Sequence, residues 1–185
     1  MIDLNSTSVR WTITLNRPDK ANAINMEMLI RLNEILDEAK QQLKLRSLII
    51  TGNGPVFSAG ADLNAVKLNN ELTTTIHWKT LSDKIAELPC LTIAALNGTL
   101  AGGAFGMALA CDIRLATTET NFFYPVLKNN LLPQPNDIER LVNLAGLSTA
   151  KLILLAGQKL SAKKALDRGL IDLICEQSEL TNNIN

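Results

Sequence analysis

The amino-acid sequence predicts an α/β domain with a mostly parallel sheet and crossover helices, on three observations. Short apolar runs at residues 46–51, 91–96 and 112–116 read as buried strands. Stretches with apolar residues at helical spacing alternate with them, at residues 26–43, 73–88 and 136–168. The chain has 185 residues, 46% of them hydrophobic, which suits a single core.

Taken in order, residues 9–15 alternate apolar Val9, Trp11, Ile13 and Leu15 with polar neighbours, the period of a half-buried strand. Asn16-Arg-Pro-Asp19 closes that strand as a turn. The helix over 26–43 has Asn25 in place to cap it, and Met28, Leu32, Ile35, Leu36, Ala39 and Leu43 form its apolar face. After the strand at 46–51, residues 64–72 are polar and Asn-rich and read as a mobile loop. The helix over 73–88 stops before Pro89, because a residue preceding proline avoids helical geometry. A glycine-rich helix follows the strand at 91–96, and a short extended piece is expected at 121–124. Pro125, Pro133 and Pro135 make the next stretch irregular. Helices at 136–145, 148–156 and 161–168 precede a closing strand at 170–175. Ser161 caps the last of these helices and Gly169 ends it. The organisation is one core over residues 1–175 and a polar tail over 176–185, expected to fray.

Composition removes several classes of function. Eighteen basic side chains balance 18 acidic ones, which gives no electrostatic case for nucleic acid or an anionic membrane. Aromatic residues are 4% of the chain, too few to favour base stacking. No run approaches the ~20 apolar residues of a membrane span, and no signal peptide is visible at Met1-Ile-Asp-Leu-Asn-Ser6. Cys90, Cys111 and Cys175 are an odd, scattered set, read as apolar side chains in a reducing compartment rather than disulfides or a metal site. The expectation is a soluble cytoplasmic protein with no metal.

Two loops stand out. Gly102-Gly103 follows the strand at 91–96 and opens a helix of small residues including Gly106, Ala108 and Ala110. Ala59-Gly60-Ala61 follows the strand at 46–51 after Gly52-Asn-Gly-Pro-Val-Phe-Ser58. Exposed N–H groups at two such strand exits are what a carbonyl oxygen gaining negative charge requires. The same glycines equally suit ordinary turns of an α/β fold, and spacing alone leaves both readings open.

The string Leu15-Asn-Arg-Pro-Asp-Lys-Ala-Asn-Ala-Ile-Asn25 is followed by Phe57-Ser-Ala-Gly-Ala-Asp-Leu63, Asn97-Gly-Thr-Leu-Ala-Gly-Gly103 and Ala110-Cys-Asp-Ile113. In this order and at these separations the motifs resemble the crotonase (enoyl-CoA hydratase/isomerase) superfamily, and the similarity runs on through residues 160–172. The resemblance implies a crotonase-like spiral of ββα units with flanking helices. It implies an acyl-CoA thioester as substrate, with CoA entering only as part of it and no tightly bound cofactor. It implies that the thioester carbonyl sits between the backbone N–H groups of Ala61 and Gly103, in an oxyanion hole. Lys20, Ala21, Ala23, Ala59, Asp62 and Leu63 resemble the family's CoA contacts. Lys20 is also readable as a solvated surface lysine, and Asp62 as part of the loop scaffold.

The departures concern proton transfer. Hydratases of this family carry glutamates at the positions that fall here on Gly106 and Val126, and neither residue moves a proton. Isomerase or decarboxylase-type chemistry is therefore expected ahead of hydration, and the alternative is a non-catalytic acyl-CoA-binding or subunit protein. Asp137 and Glu139 are the acid or base candidates nearest in sequence, although both also suit the first turn of a helix. Tyr124 is a further possible donor or a wall residue, and His77 is not expected to be catalytic. The family normally adds C-terminal helices that cover the acyl pocket and join subunits, whereas here only residues 176–185 follow Cys175. Leu141, Leu144, Leu152, Ile153 and Leu155 should then leave apolar surface exposed, which predicts a homo-oligomer, a trimer or hexamer.

Overall fold

The computed structural model describes residues 1–68 and 71–183. The chain opens with β1 (Ile2–Ser6) and β2 (Arg10–Leu15), then α1 (Met26–Lys40). From there it repeats one pattern: a strand in a large sheet, a short strand in a small sheet, and helix. The first unit is β3 (Ser47–Gly52), β4 (Val56–Ser58), α2 (Leu63–Leu68), α3 (Glu71–Thr74) and α4 (His77–Ala86). The second is β5 (Leu91–Leu96), β6 (Thr99–Ala101) and α5 (Phe105–Ala110), with a 3-10 turn over Gly102–Ala104 leading into the helix. The third is β7 (Ile113–Thr117), β8 (Asn121–Phe123) and α6 (Pro135–Leu154). The chain continues through β9 (Leu160–Ser161), α7 (Ala162–Asp167), β10 (Leu173–Cys175) and α8 (Gln177–Asn183).

The large sheet has six strands in the order β1-β2-β3-β5-β7-β10, and the small sheet has four in the order β4-β6-β8-β9. Pairing is parallel except for β1 on β2 and β9 on β8, at the sheet edges. The units therefore stack as turns of a spiral, and their corners must nest. A β-carbon on Gly98 would lie 2.0 Å from the Pro55 carbonyl oxygen, so only glycine lets the second corner seat on the first. The Asn97 side chain joins the same corners, accepting from Gly52 N at 2.9 Å and donating to Gly54 O at 2.7 Å.

Local chemistry accounts for two of the helix starts. Asn25 caps α1 by accepting from Met28 N at 2.9 Å, and Ser161 caps α7 by accepting from Lys164 N at 3.4 Å. The apolar face of α1 packs into the main core with Ile13, Leu15 and Leu48. That helix ends at Lys40 rather than Leu43, and Leu43 is fully exposed. The helices expected at 136–145 and 148–156 form one element, α6, kinked at Gly146 where φ is 80°. Burial pushes the Cys111 thiol up to about 12, and none of the three cysteines is in a disulfide.

Three stretches differ from the sequence reading. Residues 1–8 gave no strand signal, yet β1 pairs antiparallel along β2 from Ile2 opposite Leu15 to Ser6 opposite Trp11. The expected loop over 64–72 contains α2 and α3, while residues 69–70 lie outside the described residues. Asp62 Oδ1 starts α2 by accepting from Asn64 N and Ala65 N, and buried Leu72 anchors α3. The tail expected to fray holds α8, because Leu180, only 2% exposed, packs on Ile49, Ala95 and Leu115 at the back of the large sheet.

Candidate active site

The two glycine loops meet. Gly60 has φ +87°, and a β-carbon there would fall 2.7 Å from Ala101 O and 3.0 Å from Gly103 N. Their approach follows from β4 and β6 lying parallel side by side in the small sheet, with each loop leaving its own strand. Ile24 pins the first loop, donating to Gly60 O at 2.8 Å and accepting from Asp62 N at 2.9 Å. That parallel bridge uses the groups on either side of Ala61, so the Ala61 N–H and carbonyl turn away from Ile24. In the second loop Gly103 is the second residue of a 3-10 turn that has no side-chain cap, which leaves its N–H without an intrahelical partner.

A loop N-terminal to α1 holds the first glycine loop in place. Ala59 N donates to Ala21 O at 2.9 Å and Ser58 Oγ to Asn22 O at 2.8 Å. Buried Asn22 adopts φ 51° and donates to Asn53 O and Val56 O. Arg17 donates to Asp62 Oδ2 at 2.6 Å and to Ala23 O at 3.0 Å. The Arg17 guanidinium, followed by the N–H groups of Ala65 and Asn64, holds the Asp62 carboxyl below its ordinary range against the opposing effect of burial. Both oxygens of Asp62 are thus engaged in joining loop to helix.

Above the paired loops lies a cavity of about 710 Å³. Ala59, Ala61, Gly102 and Gly103 form one wall, and Trp78 another. The Trp78 ring closes on Gly103, with its carbons 3.5 Å from where a β-carbon would stand, and its Nε1 donates to Leu72 O at 2.7 Å. The opposite wall is the irregular stretch 123–135, including Tyr124, Val126, Leu131 and Gln134. Among the described residues no Asp, Glu, Lys, Arg or His lines this cavity. A smaller cavity of about 200 Å³ adjoins it, sharing Ala59, Ala61 and Leu63 and adding Lys20, Ala23, Asp62 and Asn64. The structure therefore gathers Lys20, Ala23, Ala59, Ala61, Asp62, Leu63 and Gly103 around two joined cavities, with Ala21 holding the loop from behind.

Of the acid or base candidates, Asp137 and Tyr124 come together and Glu139 does not. Tyr124 is 1% exposed, stacks on Phe105 at 5.2 Å between centroids, and donates to Asp137 Oδ2 at 2.7 Å. Asp137 is also 1% exposed, and its Oδ1 has no hydrogen-bond partner. That oxygen stands 2.8 Å from where a β-carbon on Gly106 would be. The carboxyl thus fills the space a side chain at position 106 would need. Burial, opposed by the Tyr124 hydrogen bond and by Arg140, raises the Asp137 carboxyl to about 7. Burial and the neighbouring Asp137 raise the Tyr124 phenol well above its usual value. Glu139 faces solvent on α6. His77 is half-buried at the start of α4, outside the cavity, and its carbonyl accepts from Asn33. The Gly106–Asp137 complementarity left no trace in the sequence, where the two residues are 31 positions apart.

A family model described as enoyl-CoA hydratase/isomerase matches residues 6–184. The chain belongs to the enoyl-CoA hydratase/isomerase family. It is 32% identical over 175 residues to a short-chain-enoyl-CoA hydratase of Clostridium acetobutylicum, covering 92% of this chain and 67% of the relative. It is 32% identical over 173 residues to an ethylmalonyl-CoA decarboxylase of Bos taurus, covering 91% of this chain and 56% of that one. Among solved structures, an enoyl-CoA hydratase from Bacillus anthracis superposes with a TM-score of 0.91 at 28% identity, over 98% of this chain and 72% of that one. The fold is accordingly the crotonase fold, and the chain spans between about half and two thirds of the length of these curated relatives.

Proposed function

We propose that this chain binds an acyl-CoA thioester with its carbonyl oxygen between the N–H groups of Ala61 and Gly103, and that it stabilises the thioester enolate. The observation that carries this reading is the contact of the two loops at Gly60, which brings two backbone segments to one side of an uncharged cavity. Two preset donors stabilise a developing oxyanion without reorganising, and removing one typically costs ~3 kcal/mol. The adjoining small cavity, with Lys20 at its edge, suits the CoA portion. Lys20 supplies a point charge for a phosphate there.

Isomerisation or decarboxylation fits the site better than hydration. Adding water across a conjugated double bond needs an acid and a base at the substrate. Position 106 is a glycine covered by Asp137, position 126 is a buried valine, and no carboxylate among the described residues lines the cavity. Assay of the purified protein with crotonyl-CoA tests this: we expect negligible hydration, and hydration at a rate ordinary for family hydratases would overturn it. The uncharged wall also favours a second reading, a non-catalytic acyl-CoA-binding subunit. That reading predicts binding of enoyl-, malonyl- and branched acyl-CoA thioesters with turnover of none.

The same proposal places the protein in the cytoplasm as a homo-oligomer, a trimer or hexamer. Among the described residues no helix is long and apolar enough to cross a membrane. Leu141 and Ile153 are buried, but Leu147 is 56% and Leu155 64% exposed, leaving apolar surface on α6 and at its end. Sedimentation at micromolar concentration should show the oligomer, and a monomer would contradict it.

A further inference from the structure

We propose that Gln134 closes the acyl end of the large cavity by bridging to α3, and that this bridge sets the length of acyl chain the protein accepts. This rests on the acyl-CoA reading above and adds a specificity-determining residue to it. Three features of the site lead there.

The first is the direction the acyl group takes. Among the described residues, the small cavity that suits CoA shares only Ala59, Ala61 and Leu63 with the large one. Thr73, Trp78 and Gln134 line only the large cavity. A thioester with its carbonyl at Ala61 and Gly103, and its CoA leaving through the small cavity, therefore sends its acyl group toward those three residues. No charged side chain among the described residues meets it there, so each methylene that enters gains by leaving water.

The second is the closure. The Trp78 indole donates to Leu72 O at 2.7 Å, and the Gln134 side-chain amide donates to the next carbonyl, Thr73 O, at 3.3 Å. The Trp78 wall and the 123–135 wall are thus tied together through two successive carbonyls of α3, and Thr73 and Thr74 line the cavity at the crossing. An acyl chain long enough to pass this crossing must break the Gln134 hydrogen bond. Leaving a part-buried amide without its partner costs about ten-fold in affinity or more.

The third is how firmly the bridge is held at both ends. Gln134 stands between Pro133 and Pro135 at the start of α6, with φ −63° and ψ 144°, the extended backbone that a following proline favours. Its N–H donates to Tyr124 Oη at 3.3 Å, and its carbonyl accepts from Asp137 N at 3.0 Å. The Tyr124 hydroxyl in turn donates to the buried Asp137 carboxyl. Tyr124 and Asp137 are therefore positioning residues, holding the Gln134 backbone while its side chain reaches across. At the other end Leu72 is 3% exposed and anchors α3 in the core. A contact fixed on both sides discriminates by size, whereas one on a loose support yields to whatever enters.

The test measures binding rather than turnover, by calorimetric titration of the purified protein with saturated straight-chain acyl-CoAs from acetyl- to dodecanoyl-CoA, below their micelle concentrations. Wild-type affinity should rise about four-fold with each methylene and then break downward at one chain length. Gln134→Ala should move that break to a longer chain, with a gain of about ten-fold or more at the first length that wild type rejects. Trp78→Phe keeps a ring against Gly103 but removes the donor to Leu72 O, and should move the break the same way by less. Thermal melting shows whether each variant is folded. If Gln134→Ala is not, Gln134→Asn takes its place, because its amide is one methylene too short for Thr73 O. A Gln134 with a purely structural role would weaken every acyl-CoA alike when replaced and leave the break where it was, and that result overturns the proposal. So does a wild-type affinity that climbs without a break through dodecanoyl-CoA. In both cases the acyl-CoA reading stands. If no acyl-CoA of the series binds, that reading itself fails.

Discussion

The two walls of the 710 Å³ cavity are built in opposite ways. The wall of Ala59–Ala61 and Gly102–Gly103 is backbone, carried on neighbouring strands of the small sheet and defined by what side chains would obstruct. The wall at residues 123–135 is side chain, carried on irregular backbone and the start of α6, and includes Tyr124, which is held from behind by Asp137. Binding of a polar oxygen needs only N–H groups, which every residue but proline supplies, so the first wall can be conserved in shape while its side chains are minimal. Proton transfer needs particular side chains, and Tyr124 stands on the second wall. In this chain the space a side chain at Gly106 would need is filled by the Asp137 carboxyl from α6.

The largest effect that would break this contrast is expected at Gly60. Gly60→Ala places a β-carbon 2.7 Å from Ala101 O at φ +87°, so the two loops must separate. Steady-state kinetics on whichever acyl-CoA turns over should show kcat down by about 10²–10³, the cost of losing an aligned oxyanion donor. Unchanged kcat would mean that the backbone wall does not carry the thioester.

On the opposite wall, Gly106→Ala sharpens the comparison. Its β-carbon would stand 2.8 Å from Asp137 Oδ1, and relieving that contact should cost about 1–3 kcal/mol. This outweighs the gain of about 1 kcal/mol from alanine in a helix. Denaturant midpoints measure it, and a double cycle with Asp137→Ala should recover much of the loss. Simple additivity of the two substitutions would show that the carboxyl does not own that space.

The remaining effect concerns pH. Asp137 binds its proton more tightly in the folded chain, at about 7, than in the unfolded chain, at an ordinary carboxylate value near 4. Between those values the folded state holds a proton that the unfolded state has released. Stability from this group therefore falls as pH rises through that window, by at most ~1.4 kcal/mol per pH unit, and levels off above it. Asp137→Asn should flatten that slope in urea melts taken from pH 4 to 8. An unchanged slope would place the Asp137 proton elsewhere.

Local patterns made much of the fold legible. Asn25 and Ser161 cap the helices they were expected to cap, and the apolar runs at 46–51, 91–96 and 112–116 lie in the large sheet as β3, β5 and β7. Periodicity, propensity and capping act within a few residues, so one stretch of chain contains the whole signal. The glycines of both loops were legible too, because a backbone that must approach another excludes side chains and leaves a compositional mark. The elements that escaped were those made by distant partners. β1 exists because β2 offers it an open edge, α3 because Leu72 finds the core, and α8 because Leu180 packs behind the large sheet. Asp137 is the clearest case. In the sequence it is an acidic residue suited to a helix start, and nothing nearby sets it apart from Glu139 two positions on. Only the packing of α6 across α5 sends one carboxyl into the space above Gly106 and the other into water. Burial and hydrogen bonding to a residue 13 positions away decide what a carboxyl can do, and tertiary structure alone sets both.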